Sequence, residues 1–313
     1  SQDGLCCVDT LHRVTITGLE KNTTYFYRVL SQEVKELLPY RPVLGNIVST
    51  DIWEKPLTFT TLDGRQETLS IVMINDIHGK NDLQKKLLEM APPQNVDMVV
   101  FCGDMCNYIN KQSDIFTGFL DTSVGLFASR KPFVYVRGNH ETRGAYARNF
   151  FRYLAGPEGK FYYAFTYGPI RFIVLDSGED KPDTDVEYSG LVDFDNYILE
   201  QKEWLARELE SPEFRAASFR VVLSHIPFGK GSWYGSERLR KQLLPLLESV
   251  RIDLMLSGHN HAFGFMDKGK VTAFPIIVNS NNSVLTMFGS KDLLKVQVKQ
   301  IDGKVLLEKE FSK

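Results

Sequence analysis

The 313-residue sequence predicts an α/β (α+β) domain behind a short all-β segment. Three observations carry that expectation. From Leu69 onward, short runs rich in β-branched residues alternate with helical patterns, as in a sheet covered on both faces. The first sixty-odd residues instead show period-two alternation with turn material between the runs. Side chains of the kind that bind ions stand immediately behind the strands, at the edge where an α/β sheet gathers its ligands.

In the N-terminal segment, His12 to Leu19 (HRVTITGL) and Thr24 to Leu30 (TYFYRVL) alternate polar and apolar around the turn Glu20-Lys21-Asn22, and Leu57 to Thr61 (LTFTT) is a further strand. Three or four strands fall short of the ~100 residues of an immunoglobulin-like sandwich. The segment is therefore part of a β-domain or a small β-cap. The polar stretch Leu62-Asp63-Gly64-Arg65-Gln66 marks the boundary, giving domains 1–66 and 67–313. Beyond it, strands are expected at Ser70–Asn75, Asp97–Cys102, Phe133–Val136, Phe172–Leu175, Arg220–Leu223, Asp253–Leu256 and Pro275–Val278. Helices are expected at Asn81–Met90, Gln201–Glu210 and Glu237–Ser249, where leucines recur on one helical face. The tail reads as a hairpin, Leu293–Val298 and Val305–Phe311, turning at Asp302-Gly303.

Composition narrows the function classes. The chain is 43% hydrophobic and 24% charged, with 37 basic against 39 acidic residues and a net charge of -2. That balance argues against a nucleic-acid sleeve or a polybasic membrane surface. No apolar run approaches the ~18 residues that cross a bilayer, so a soluble protein is expected. The four cysteines suit no disulfide scaffold: Cys6 and Cys7 are adjacent, and Cys102 and Cys106 flank one loop, where buried thiols are the simpler reading. The sequence starts at Ser1 rather than Met, which is compatible with a missing leader, tag or upstream segment.

The strand ends concentrate the chemistry. Ser70–Asn75 runs into Asp76-Ile77-His78, Asp97–Cys102 into Gly103-Asp104, and Phe133–Val136 into Arg137-Gly138-Asn139-His140-Glu141. Arg220–Leu223 runs into Ser224-His225, and Asp253–Leu256 into Ser257-Gly258-His259-Asn260-His261. Only six histidines exist, and all but His12 lie at these ends. Imidazole with carboxylate is the donor set of Zn, Mn and Fe.

In this order, D-x-H (Asp76, His78), G-D-x-x-(D/N) (Asp104, Asn107), G-N-H-E (Asn139, His140, Glu141), a lone histidine (His225) and G-H-x-H (His259, His261) resemble the motif set of the calcineurin-like metallophosphoesterase superfamily, from Leu69 to about Lys313. The N-terminal HRVTITGLEKNTTYFYRV and LTFTT are similar to the later half of the fibronectin-like domain that precedes the catalytic domain in purple acid phosphatases. The resemblance implies a four-layer αββα sandwich of two mixed sheets. It also implies two divalent ions (Mn, Zn or Fe) about 3.5 Å apart. Asp76, His78, Asp104 and His261 would hold one ion, and Asp104, Asn139, His225 and His259 the other. Asp104 would bridge them, its charge screening their repulsion. His140 would face the leaving-group oxygen rather than a metal, with Glu141 or Asp76 orienting it. Purple acid phosphatases proper differ at two positions, carrying glycine at His78 and a metal-binding tyrosine at Asn107. Tyr108 comes one residue too late to replace that tyrosine, so no iron–tyrosinate colour is expected.

The resemblance further implies a small-molecule phosphate ester as substrate, with monoesters favoured. A phosphodiesterase or nucleotidase is the alternative within the superfamily, and a non-catalytic metal- or phosphate-binding protein the alternative outside it. A nuclease fits the acidic balance poorly. Phosphatases with this type of β-domain are usually exported, which implies an extracytoplasmic location. Nothing in the sequence sets the oligomeric state. Around the motifs, several residues keep two readings. Asn107 is a hydrogen-bonding group behind the ligands or a plain turn residue. Arg143 grips a phosphate oxygen or forms a surface ion pair. Trp233 and Tyr234, in the Gly-rich FGKGSWYGS loop, wall the pocket or pack over a helix. The acidic loop Glu179–Glu187 is a solvated insertion or a substrate rim.

Overall fold

The computed structural model describes residues 4–62, 65–229 and 231–313. Asp63 and Gly64 of the expected connector lie outside them. The chain divides into two units, Ser1–Arg65 and Gln66–Lys313.

The first unit holds two small antiparallel sheets. β1 (Thr24–Tyr27) pairs with β4 (Leu57–Thr60), with Tyr25 stacked on Phe59 across the pair at 5.7 Å. β2 (Leu30–Glu36) pairs with β3 (Val43–Ser49). No described residue of this unit is buried. The strand expected at His12–Leu19 does not form, and Val14 and Ile16 stay exposed. Alternation alone does not make a strand, and among the described residues no other strand pairs with this segment. The β2–β3 hairpin was not expected, because LSQEVKE lacks clean apolar alternation.

The second unit carries two six-stranded sheets. One runs in the order β16 (Val305–Ser312), β15 (Leu293–Gln300), β14 (Ser283–Gly289), β5 (Leu69–Ile74), β6 (Met98–Cys102), β7 (Phe133–Val136). The other runs β12 (Gly264–Met266), β13 (Ile276–Val278), β11 (Leu254–Ser257), β10 (Phe219–Ser224), β9 (Ile170–Leu175), β8 (Tyr163–Tyr167). β5, β6 and β7 are mutually parallel, as are β9, β10, β11 and β13; the flanking strands are antiparallel, so both sheets are mixed.

Period-two alternation assigns the core residues to layers. Ile71 and Met73 of β5, Val100 of β6, and Val221 and Leu223 of β10 meet in one cluster between the sheets. The alternate residues point outward. Val72, Ile74, Val99 and Phe101 pack with Leu87 and Leu88 of the helix Asn81–Met90. Ile173, Val222 and Met255 pack with Ile198 and Leu205 of the helix Phe194–Glu208. The result is four layers, helices outside and sheets inside.

Two expected helices differ in extent. The one read as Gln201–Glu210 begins at Phe194, because its buried stripe of Phe194, Ile198, Gln201 and Leu205 extends back by two turns. The one read as Glu237–Ser249 is two helices, Tyr234–Gln242 and Leu244–Glu248, since Pro245 lacks the N–H that would continue the ladder.

Candidate metal centre

The parallel strands β5, β6, β7, β10 and β11 all end at the same edge, and the loops that leave them build one site across both sheets. Main-chain bonds hold these loops together: Asp76 N–H to the Gly103 carbonyl (2.9 Å), His78 N–H to Asp104 (2.9 Å), and Gly258 N–H to His225 (3.0 Å). Asp76, His78, Asp104, His259 and His261 have φ of +54°, +50°, +55°, +73° and +53°. They are five of the eight described non-glycine residues with positive φ, so left-handed backbone is concentrated where the side chains are presented. Two glycines let the loops approach. A Cβ on Gly103 (φ +85°) would lie 2.3 Å from His225 Nδ1, and one on Gly138 would lie 2.2 Å from Asp104 Oδ1.

Seven side chains converge. His261 Nε2 lies 3.2 Å from Asp76 Oδ1 and 3.0 Å from His78 Nε2. His225 Nε2 lies 3.1 Å from Asp104 Oδ2 and 4.0 Å from Asp76 Oδ1. His259 Nδ1 lies 3.2 Å from Asn139 Oδ1. Asp76, Asp104, Asn139, His225 and His259 are buried, whereas the His261 side chain is about half exposed and forms the open side. His12 belongs to the other unit.

The donor set fits metal ions. Three groups place their ligand atoms within 4.8 Å of one another: Asp76, His78 and His261; His78, Asp104 and His140; and Asp104, His225 and His259. Asp76 Oδ1, His225 Nε2 and His259 Nε2 are buried without a hydrogen bond. Buried polar atoms left unpaired are costly, and of the ten such side-chain atoms among the described residues four, these three and His78 Nδ1, belong to the cluster. The opposite atoms are anchored. Asp76 Oδ2 accepts from Asn75 Nδ2 (2.6 Å) and His259 N–H (2.8 Å), and His225 Nδ1 donates to the Cys102 carbonyl (2.7 Å). Such anchoring fixes the tautomer and aims the free atom inward.

Electrostatics divides the imidazoles. Burial pushes His78 down to about 4, with His140 and His261 adding to the effect against the pull of Asp104 and Asp76. Burial and the neighbouring His225 likewise push His259 down to about 4. Burial opposes a charge on His225 too, but Asp104 and Asp76 outweigh it and raise that group to about 10. Without a metal, then, the Asp104 and Asp76 carboxylates favour the charged form of His225.

The remaining sequence candidates fall in different places. His140 Nε2 is 3.9 Å from Asp104 Oδ2, and its Nδ1 is 2.8 Å from the Asn107 main-chain carbonyl. Asn107 thus orients His140 through its backbone, and neither Glu141 nor Asp76 does so. Glu141 is fully buried and accepts the N–H groups of Asp104, Cys106 and Gly138, each at 2.9 Å, so it shapes the loops. Trp233 stands edge-on to His259 with centroids 4.9 Å apart and is 54% exposed. Tyr234 is turned away, its hydroxyl donating to Asp195 (2.8 Å) on the helix Phe194–Glu208. Arg143 is no surface pair: it meets Glu179, which is fully buried. Beside them opens a cleft of about 550 Å³ lined by Arg137, Arg143, Arg148, Tyr188 and Phe194. Sequence reading missed Asn75 as the anchor of Asp76 and placed Glu179 in a solvated insertion or a substrate rim, not as the buried partner of Arg143. The only signal for Asn75 was its position directly before Asp76.

A family model described as calcineurin-like phosphoesterase matches residues 69–263. The chain is 24% identical over 273 residues to purple acid phosphatase 22 of Arabidopsis thaliana, covering 81% of this chain and 53% of that protein. It is 24% identical over 295 residues to a purple acid phosphatase of Glycine max, covering 85% and 55%. It therefore spans about half the length of the curated relatives it matches. Among solved structures it is similar to a dimetal phosphatase from Danio rerio, with TM-score 0.58 and 16% identity over 78% of this chain and 98% of that one. At that identity the likeness is one of fold.

Proposed function

Because the chain belongs to the calcineurin-like phosphoesterase family, we propose that it hydrolyses small-molecule phosphate monoesters at a two-metal site spanning its sheets. The observation that carries this reading is the sharing of one buried aspartate. Asp104 belongs to the group with His225 and His259 and to the group with His78 and His140, while Asp76, His78 and His261 form the adjoining group. Asp76, His78, Asp104 and His261 would hold one divalent ion, and Asp104, Asn139, His225 and His259 the other; Mn, Zn and Fe suit the donors. Bound there, such ions neutralise phosphoryl oxygens and acidify water.

The chain's own groups do the rest. Asp104, shared between two of the groups, would offset the repulsion of two ions held there. Asn75 and the Cys102 carbonyl hold Asp76 and His225 in their inward orientations. His140 keeps its Nδ1 hydrogen on the Asn107 carbonyl and turns Nε2 to the site. In its charged form it delivers the Nε2 proton to the departing oxygen. The preference for monoesters is supported by relatives named purple acid phosphatases, and an extracytoplasmic location is part of the same proposal. No helix among the described residues is long and apolar enough to cross a membrane.

The test is metal analysis of the purified protein together with turnover of p-nitrophenyl phosphate and of its bis ester. Two ions per chain and faster monoester hydrolysis are expected. In the same assay His140→Ala keeps both ions and loses about 10²–10⁴ in kcat. With His78 and Asn107 in place of glycine and tyrosine, iron-loaded protein shows no visible charge-transfer band. Faster diester hydrolysis would reverse the preference, and a metal-replete protein inert to both esters and to nucleotides would be a binder.

A further inference from the structure

Arg143 stands just behind the His140 turn, and its guanidinium has two differently occupied edges. Nη2 donates to Glu179 Oε1 (2.9 Å) and Nε to Glu179 Oε2 (3.4 Å). Glu179 is fully buried, and its own position is over-determined. Oε2 also takes the Thr142 hydroxyl (3.1 Å) and that of Tyr188, and its main-chain carbonyl accepts Arg238 Nη2 (2.8 Å). Asp180 (3.5 Å) and Glu187 (3.7 Å) also face Nη2. A carboxylate taken out of water is costly unless its partners are well placed, so this is a built support rather than a chance surface pair.

The other edge turns towards the cluster through a long contact with His140. Nη1 lies 3.3 Å from His140 Nε2, which lies 3.9 Å from Asp104 Oδ2. The Asn107 carbonyl only accepts, so the bond at His140 Nδ1 fixes a hydrogen there and turns Nε2 to the site. At this corner of the site Arg143 is the donor whose charge is permanent.

We propose that Arg143 is a catalytic residue whose Nη1 donates to an oxygen of the phosphoryl group held over Asp104, with Glu179, braced by Tyr188 and Thr142, as its positioning residue. This rests on the phosphoesterase reading. Arginine suits the role because its charge is permanent and its planar fork can bind a buried carboxylate on one edge and an oxyanion on the other.

The test compares Arg143→Ala, Arg143→Lys, Glu179→Gln and Tyr188→Phe with the metal-loaded wild type. It reads metal content, kcat and KM for p-nitrophenyl phosphate, and the inhibition constant of inorganic phosphate. Arg143→Ala is expected to keep its metals, lose about 10²-fold in kcat/KM, as when one oxyanion donor is removed, and bind phosphate more weakly. Added guanidinium recovers part of that loss, and lysine recovers little. Tyr188→Phe removes one hydroxyl with little risk to the fold and lowers kcat more than it raises KM. Glu179→Gln added to Arg143→Ala costs nothing further, because the two act as one unit. The proposal is overturned if Arg143→Ala leaves both kcat/KM and phosphate inhibition within about threefold of wild type, a change smaller than the loss of one charged hydrogen bond. A metal-loaded wild type that neither hydrolyses the ester nor binds phosphate overturns the phosphoesterase reading itself, and this proposal with it.

Discussion

At the scale of single residues, the site depends on which atom of each side chain is already committed. His225 shows the consequence. In the metal-free protein the Asp104 and Asp76 carboxylates hold it protonated up to about pH 10 against the effect of burial, and an incoming ion must displace that proton. Loading the apo-protein with Mn²⁺ is expected to release a proton, seen as a buffer-dependent heat in calorimetry. Apparent affinity should rise with pH by up to about tenfold per unit until the pH approaches that value. The sign for stability is opposite. A folded-state pKa raised above the ordinary 6.5 stabilises the apo-protein fully below pH 6.5, and that contribution is lost as pH rises through about 10. Denaturant titrations in chelator at pH 7 and pH 9 should show the apo-protein weaker at the higher pH. An affinity flat across that range would place the proton elsewhere.

At the scale of elements, the loops matter more than the strands they leave, since each loop must bring a side chain across to the other sheet. Gly103→Ala tests this. The new methyl would meet His225 Nδ1 at 2.3 Å, at a φ of +85°. Left-handed backbone costs a non-glycine residue about 1–2 kcal/mol, and the ring must leave the Cys102 carbonyl. The expected variant is folded, melts lower and loses metal. Full metal occupancy would show that the loop can move aside. What the sequence revealed follows the same division. The strand ends were legible because their apolar runs are buried on both faces and stop sharply at Asp76, Asp104, Asn139, His225 and His259. The partnership of Arg143 with Glu179 was not, because 36 residues separate them and only tertiary packing brings them together. Nor was the support of His140, which comes from a main-chain carbonyl that any residue type at 107 would offer. His12–Leu19 failed in the opposite way, having the pattern of a strand but pairing with no strand among the described residues.

At the scale of the molecule, the candidate ligands are divided between the two sheets. Asp76, His78, Asp104 and Asn139 follow strands of one, and His225, His259 and His261 follow strands of the other. Ions held between them would tie the sheets together along one edge, adding to the apolar layer between them. Chelation is therefore expected to lower the melting temperature, by the equivalent of about 2.7 kcal/mol if the metal stands at 100 times its dissociation constant. Amide exchange should quicken at the carboxyl ends of β5, β6, β10 and β11 and stay slow at their opposite ends. Unchanged exchange at those ends would mean that the apolar layer alone holds the seam. The backbone at that seam has one more consequence. Carboxylates and imidazoles occupy left-handed positions that glycine would fill without strain, so selection for thermal endurance and selection for turnover pull this edge of the protein in opposite directions. A lineage released from its chemistry would be expected to drift first at these corners, long before its interior changed.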